Sequence, residues 1–243
     1  MLNNIVINSD DFGYSLEVNN AIIKGFDLNY INSCTMLVNF EDGFNDALEK
    51  IKLNPEKLKK VGLHFNLTEG IPLTKKIKTD DFFCENGHFH SRLRSRPIFY
   101  LNKKRRQLVE MELIAQIEKA LLHGINITHI DSHHHVHTEF AILRIVLKVA
   151  AKYDISKVRI SRNIGEIVFM KKCYKFFINS FMKFKGMNSS DYFGDTADFR
   201  FNISNYRKDK KYEIMVHCLP SNTEDVIDLD GLPLRKIDEY FSF

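Results

Sequence analysis

Short apolar runs of strand character alternate with segments of helical period along most of this 243-residue chain, and that alternation limits the fold more than any other feature. Repeated strand–helix units put strands in parallel with helices outside them, so an α/β protein is expected. The strand candidates are 4–9, 33–38, 61–67, 127–131, 157–161 and 213–218, with a weaker one inside 192–203. Helices are expected at 15–28, with Ser15 as N-cap, and at 105–123, where Leu113, Ile117 and Leu121 share a face and Gly124 follows as a stop. A third is expected at 139–152, with Ile142, Ile145 and Val149 at inward spacing. No repeat, Ser/Gly linker or break in composition divides the chain, and one domain over 1–243 is expected. Residues 68–104 read as a long insertion of the kind that forms lids or substrate loops, with a turn pair Asn86-Gly87. The basic cluster Lys103-Lys104-Arg105-Arg106 at its end reads as a solvated helix start.

Composition removes several classes. Apolar residues make up 44% and charged residues 27%, ordinary values for a folded chain and unlike a disordered one. The net charge of +4 is small and dispersed, which argues against nucleic acid as a partner. Cys34, Cys84, Cys173 and Cys218 lie far apart with no CxxC pair, as expected of reduced thiols. The start, Met-Leu-Asn-Asn-Ile-Val-Ile, has no signal-peptide pattern, and the longest apolar stretch, near 139–151, is cut by Arg144 and Lys148. A cytoplasmic protein without a membrane span is expected.

The chemistry-bearing residues stand where strands end. Asp10 and Asp11 follow the first strand, His64 lies in or at the end of 61–67, Asp131 and a histidine run follow 127–131, and His217 closes 213–218. Five of the ten histidines (His129, His133, His134, His135, His137) fall within 129–137. In an α/β barrel or open sheet the carboxyl ends of parallel strands converge on one face, so these residues become neighbours. Imidazoles with a carboxylate are what a divalent cation needs, and three protein ligands leave room for water and substrate. Hydrolysis of an amide or ester is the natural reaction class for such a centre. Adjacent Asp10 and Asp11 point to opposite faces if strand geometry persists, which suggests one ligand and one base.

Three stretches carry a resemblance. Asn8-Ser9-Asp10-Asp11-Phe12-Gly13-Tyr14-Ser15, Gly62-Leu63-His64-Phe65-Asn66-Leu67-Thr68, and Thr128-His129-Ile130-Asp131-Ser132-His133-His134-His135-Val136-His137 are similar in order and spacing to the YdjC-like carbohydrate deacetylases, the family that includes chitooligosaccharide deacetylase. Ser189–Asp195 and Glu213–His217 resemble later segments of the same family. The resemblance implies a metal-dependent N-deacetylase on an irregular, TIM-barrel-like (β/α) barrel, acting on acetylated amino sugars or oligosaccharides. It further implies Asp11, His64 and His133 as metal ligands, Asp10 as general base and His217 as general acid. The implied metal is magnesium, while two imidazoles and a carboxylate would suit zinc at least as well. Only 26 residues follow His217, so the last unit of the expected barrel is incomplete, and Leu234 onward reads as the start of a helix.

The other histidines cannot all reach one ion. His133 and His137 share a face if a helix starts there, and His133 and His135 share one if the segment stays extended. His134, His135, His137 and Asp131 are expected to orient ligands or face the substrate, and His129 to be structural. Arg159 and Arg162 are expected on the cleft side, to bind substrate or to orient Asp10, against a plain surface ion pair. Residues 169–185 mix Phe169, Tyr174, Phe176, Phe177, Phe181 and Phe184 with five lysines. A helix packed on the barrel or on a second subunit, in a homodimer, is expected there ahead of a sugar platform or a membrane-surface helix. The competing readings of the whole chain are a phosphoesterase-type hydrolase on the same cleft and a non-catalytic sugar-binding protein.

Overall fold

The computed structural model describes residues 4–95, 98–202, 207–221 and 225–236. In chain order β1 (Ile5–Phe12), α1 (Leu16–Asp27), β2 (Ser33–Met36), α2 (Glu41–Leu53) and β3 (Val61–Phe65) are followed by a small hairpin, β4 (Cys84–Glu85) and β5 (His88–Phe89). Then come α3 (Lys103–Leu122), β6 (Ile130–Ser132), α4 (Phe140–Lys152), α5 (Phe169–Phe184), β7 (Tyr192–Asp195), α6 (Thr196–Asn202) and β8 (Tyr212–Val216). A second hairpin, β9 (Leu219–Pro220) with β10 (Val226–Ile227), lies outside the main sheet.

The main sheet has six strands in the order β6-β3-β2-β1-β8-β7, all paired in parallel. It is strongly curled. Arg159, beside edge strand β6, reaches Asp10 on β1 and Glu213 on β8, three and four places away in the sheet, and such contacts are possible only across a concave side. Residues 157–163 lie between the two edge strands. Ile130 N donates to Lys157 O (3.0 Å), Arg159 N to Ile130 O (2.9 Å), and Asn163 N to Phe193 O (3.1 Å) on β7. Only the bridge Ile130–Val158 is regular, so the expected strand 157–161 is a tie across the gap and not a full member of the sheet. The result is an incomplete, TIM-barrel-like α/β barrel.

Period-two alternation sorts the strand residues. Ile5, Ile7, Cys34, Met36, Leu63, Phe65, Ile130, Ile214 and Val216 are buried in the hydrophobic core between sheet and helices. Alternate residues (Asn8, Asp10, Thr35, His64, Asp131, Glu213) are joined by hydrogen bonds and ion pairs on the concave side. The inside of the curl is therefore polar, and the helices supply the apolar layer.

Local chemistry accounts for the element ends. Ser15 caps α1 by accepting from Val18 N, Asn102 caps α3 by accepting from Arg105 N, and Gly124 follows α3 at φ 79°. α2 is absent from the sequence-level expectations, although Phe44, Ala47, Leu48 and Ile51 have helical spacing; it starts without a side-chain cap. The weak strand inside 192–203 divides into β7 and the short helix α6. Residues 68–104 are more than a surface loop: they bury Ile77, Phe83, Phe89, Leu93, Ile98 and Leu101. α5 packs on the barrel through Ile178 and Met182, while Phe169, Phe176 and Phe184 face outward from this chain. The helix start expected from Leu234 falls largely on 237–243, outside the described residues.

Candidate active site

The site begins with a break in β1. Its register on β2 shifts between Ser9 and Phe12, and Asp11 takes a left-handed φ of 67°. Aspartate tolerates this conformation better than most residues. The consequence corrects the expectation of opposite faces: both carboxylates approach His64, which an unbroken strand would forbid.

Asp11, His64 and His133 each offer a donor atom, and the three atoms lie within 4.8 Å of one another. His64 Nε2 is 3.2 Å and His133 Nδ1 2.9 Å from Asp11 Oδ1. Both approach off the hydrogen-bond direction, so Asp11 Oδ1 is a buried oxygen without a directed hydrogen bond. The outer nitrogens are held: His64 Nδ1 faces Asp131 Oδ1 at 2.7 Å, and His133 Nε2 faces Glu69 Oε2 at 3.0 Å. A carboxylate behind an imidazole fixes the ring and turns its other nitrogen toward the shared space, as in many metal centres. An orphaned carboxylate oxygen between two ring nitrogens so held fits a divalent cation, and the donor set matches a three-ligand site. Among the described residues, Glu69 with His133 and His134, and Asp10 with His64 and Asp131, form two further convergent groups.

The second of these groups already has its counter-ion. Arg159 is buried, and its NH1 and NH2 donate to Asp10 Oδ2 and Oδ1 at 2.7 Å each. NH1 also lies 2.6 Å from Asp131, Nε lies 2.5 Å from Glu213, and the guanidinium stacks 4.9 Å over the Phe193 ring. The plain surface ion pair considered for Arg159 is thus excluded by its burial. Arg162 is half-buried and paired with Asp195 (3.3 Å) and Asp198.

Burial by itself would raise the pKa of Asp10, but the Arg159 guanidinium brings it below the usual carboxylate range. Burial opposes ionisation of Asp11 too, yet the two imidazoles beside it hold it well below that range. Desolvation works against charge on His64, and Asp131 and Asp10 overcome it and raise its pKa well above the ordinary value. His133 is also raised, against burial, by Asp11 and Glu69. A cation at this group would therefore have to displace protons from the same nitrogens.

The histidine string forms neither of the two regular shapes expected. His133–Thr138 is a 3-10 turn interrupted by left-handed backbone at His134 (φ 54°) and His135 (φ 56°). His134 Nδ1 meets Thr68 Oγ1 at 2.8 Å, and its ring packs on His133 with centroids 3.9 Å apart. His137 is buried between Ser132 Oγ (2.6 Å) and Arg159 O (2.9 Å). His135 turns toward Phe193, its Nδ1 buried without a hydrogen-bond partner, and burial pushes its pKa down to about 3. It borders a cavity of about 750 Å³ whose walls include Phe99, His134, Arg162, Tyr174 and Phe193. His129 is an inner structural residue beside Asn8, 3.2 Å from its Oδ1. His217 follows β8, next to β1; its backbone N donates to Asp228 Oδ1 and its ring Nδ1 lies 3.9 Å from the same atom. It is not among the converging groups of the described residues.

Sequence reasoning missed Glu69 and Tyr14. Tyr14 donates its hydroxyl to Glu69 Oε1 at 2.8 Å, which ties the loop after β1 to the loop after β3. Their position after the strands that carry Asp11 and His64 was the available signal.

A family model described as YdjC-like protein matches residues 4–233. The chain belongs to the YdjC-like family. Among curated relatives, one from Halalkalibacterium halodurans named carbohydrate deacetylase is 30% identical over 229 residues, covering 92% of this YdjC-like chain and 87% of the relative. Another of the same name from Brevibacillus brevis is 38% identical over 153 residues, and there the chain spans 57% of the relative's length. A solved structure from Enterococcus faecalis, provisionally described as a cellobiose-phosphate cleavage protein, superposes with a TM-score of 0.69 at 22% identity, covering 97% of this chain and 88% of that one. That likeness shows a shared fold.

Proposed function

We propose that this chain is a metal-dependent carbohydrate N-deacetylase, hydrolysing an acetamido group on an amino sugar or oligosaccharide to acetate and a free amine. The observation that carries the reading is the buried, unbonded Asp11 Oδ1 framed by His64 Nε2 and His133 Nδ1, in a chain with relatives named carbohydrate deacetylase. Asp11, His64 and His133 would hold the cation, magnesium on the family likeness, with zinc the alternative that the donor set suits. A bound divalent ion supplies acidification of water and polarisation of the amide carbonyl.

The chain's own groups do the rest. Asp131 and Glu69 keep the ligand imidazoles oriented. Asp10 is the proton acceptor, held as an anion by Arg159. Its low basicity suits it to take a proton only from an already acidified water. His217 is the proton donor to the leaving amine, with Asp228 on its Nδ1 side. The cavity beside His134 and His135 receives the sugar, on whose apolar faces Tyr174 and Phe193 can pack. A second ion at Asp10, His64 and Asp131 is disfavoured because Arg159 already pairs with both of those carboxylates, which counts against a two-metal phosphoesterase built there.

Acetate release from N-acetylglucosamine, its disaccharide and longer oligomers, with magnesium or zinc added, tests the reading. Turnover on at least one of them is expected. Asp10→Asn should keep the metal and lose at least about a hundredfold in rate, the usual contribution of a positioned base. Full metal occupancy in both His64→Ala and His133→Ala would remove the ligand assignment. Metal retention with no acetate from any substrate would favour a sugar-binding protein.

A further inference from the structure

We propose that α5, with the neighbouring loop at Phe99 and Tyr100, docks this protein on an anionic lipid surface. α5 is apolar on two sides. Ile178 and Met182 pack inward. On the opposite side, residues 169, 173, 176, 177, 180 and 184 share a face by helical spacing. Phe169 and Phe176 are each 74% exposed and Phe184 81% exposed. Phe99, itself largely exposed, meets the Tyr174 ring edge-on with centroids 5.6 Å apart, on the flank of α5 between its buried and its exposed side. A helix apolar on both sides normally has both sides covered.

Charge selects the cover. Residues 169–185 carry Lys171, Lys172, Lys175, Lys183 and Lys185 and no Asp or Glu. Lys172 and Lys183 border the exposed phenylalanine face by helical position. The groove beside Phe99 and Tyr100 is lined by Lys103, Arg106 and Arg144 and by the pair Lys148–Glu110, which leaves a positive excess. Setting α5 of a second copy against this face would bring Lys172 and Lys183 of both copies together with no acid from the helix between them, and like-charge juxtaposition is costly. An anionic bilayer supplies both requirements, acyl chains for the phenylalanines and negative headgroups for the lysines. Met170 and Tyr174 also wall the cavity beside His135, so a docked molecule would hold that cavity close to the headgroups.

Co-sedimentation of the full chain with phosphatidylcholine vesicles, with and without about one-third phosphatidylglycerol, tests this. Pelleting is expected with the anionic vesicles alone, and it should weaken as salt rises and shortens the Debye length. Two sets of substitutions at exposed positions should leave circular dichroism unchanged and weaken binding about tenfold or more: Phe169→Ser with Phe176→Ser and Phe184→Ser, and separately Lys172→Glu with Lys183→Glu. The lysine pair decides the matter if the phenylalanine triple fails to fold. Absence of pelleting with anionic vesicles, or pelleting that neither set alters, would overturn the proposal. So would a solution dimer in sedimentation velocity that the phenylalanine triple splits, which would make the cover a second copy.

Discussion

At the end of β6 the backbone passes through two successive left-handed residues, His134 and His135. Each costs on the order of 1 kcal/mol or more for a residue with a Cβ. That turn sends four neighbouring histidines to different places: His133 to Asp11, His134 to Thr68, His135 to the cavity, and His137 into the interior. The surroundings also set different charges. Burial lowers the pKa of His129 and of His137 to about 4 each, whereas His64 and His133 are raised by nearby carboxylates. For His129 and His137 the folded pKa is depressed below the unfolded value of about 6.5, so below about pH 6.5 the unfolded chain binds more protons. Their contribution to stability is whole above about pH 6.5 and is lost as the pH falls toward about 4. Urea unfolding across that range should show an acid-side loss that is shallower in His137→Gln, whose amide can meet Ser132 and Arg159 O without titrating. An unchanged slope would contradict the assignment. Arg159 is a second decisive residue. Arg159→Met would leave Asp10, Asp131 and Glu213 together without their cation, and a loss of about 3–5 kcal/mol in the urea midpoint analysis is expected.

Among the elements, α2 shows how function shapes packing. Its Gly43 lies against the loop that follows Asp10-Asp11: a Cβ there would sit 2.7 Å from Tyr14 C and closer still to the Gly13 carbonyl. A glycine-to-alanine change inside a helix ordinarily gains up to about 1 kcal/mol. Here the sign reverses, because backbone on both sides cannot yield cheaply. Gly43→Ala should lose about 1–3 kcal/mol in thermal unfolding and weaken metal binding by moving Asp11. Of the helices named from sequence, α1 and α3 have a side-chain N-cap and α4 has a dense run of buried apolar residues. α2 has neither a side-chain cap nor an uninterrupted start, and passed unnoticed for that reason. The aromatic stripe of α5 is packed on this chain along one side only. Helical spacing reports that a face is apolar, but not whether the fold covers it.

For the molecule as a whole, the curled sheet makes one polar interior out of residues separated by up to 203 positions, from Asp10 to Glu213, all gathered by Arg159. A cation bound to Asp11, His64 and His133 would join β1, β3 and the turn after β6, so its binding should stabilise the whole fold. Zinc or magnesium at about a hundred times its dissociation constant should add about 2.7 kcal/mol, read as a rise in thermal midpoint that is absent in His133→Ala. The α/β class, most strands and the position of reactive groups at strand ends were determined by the sequence, because period, caps and motif order are local properties of the chain. The bulge that turns Asp10 and Asp11 together, the separate directions taken by the histidines of the string, the burial of Arg159, the contacts of Glu69 and Tyr14, and the exposed phenylalanines of α5 were decided only by the tertiary structure. Each depends on which surfaces meet across the curl of the sheet, and no local pattern encodes that.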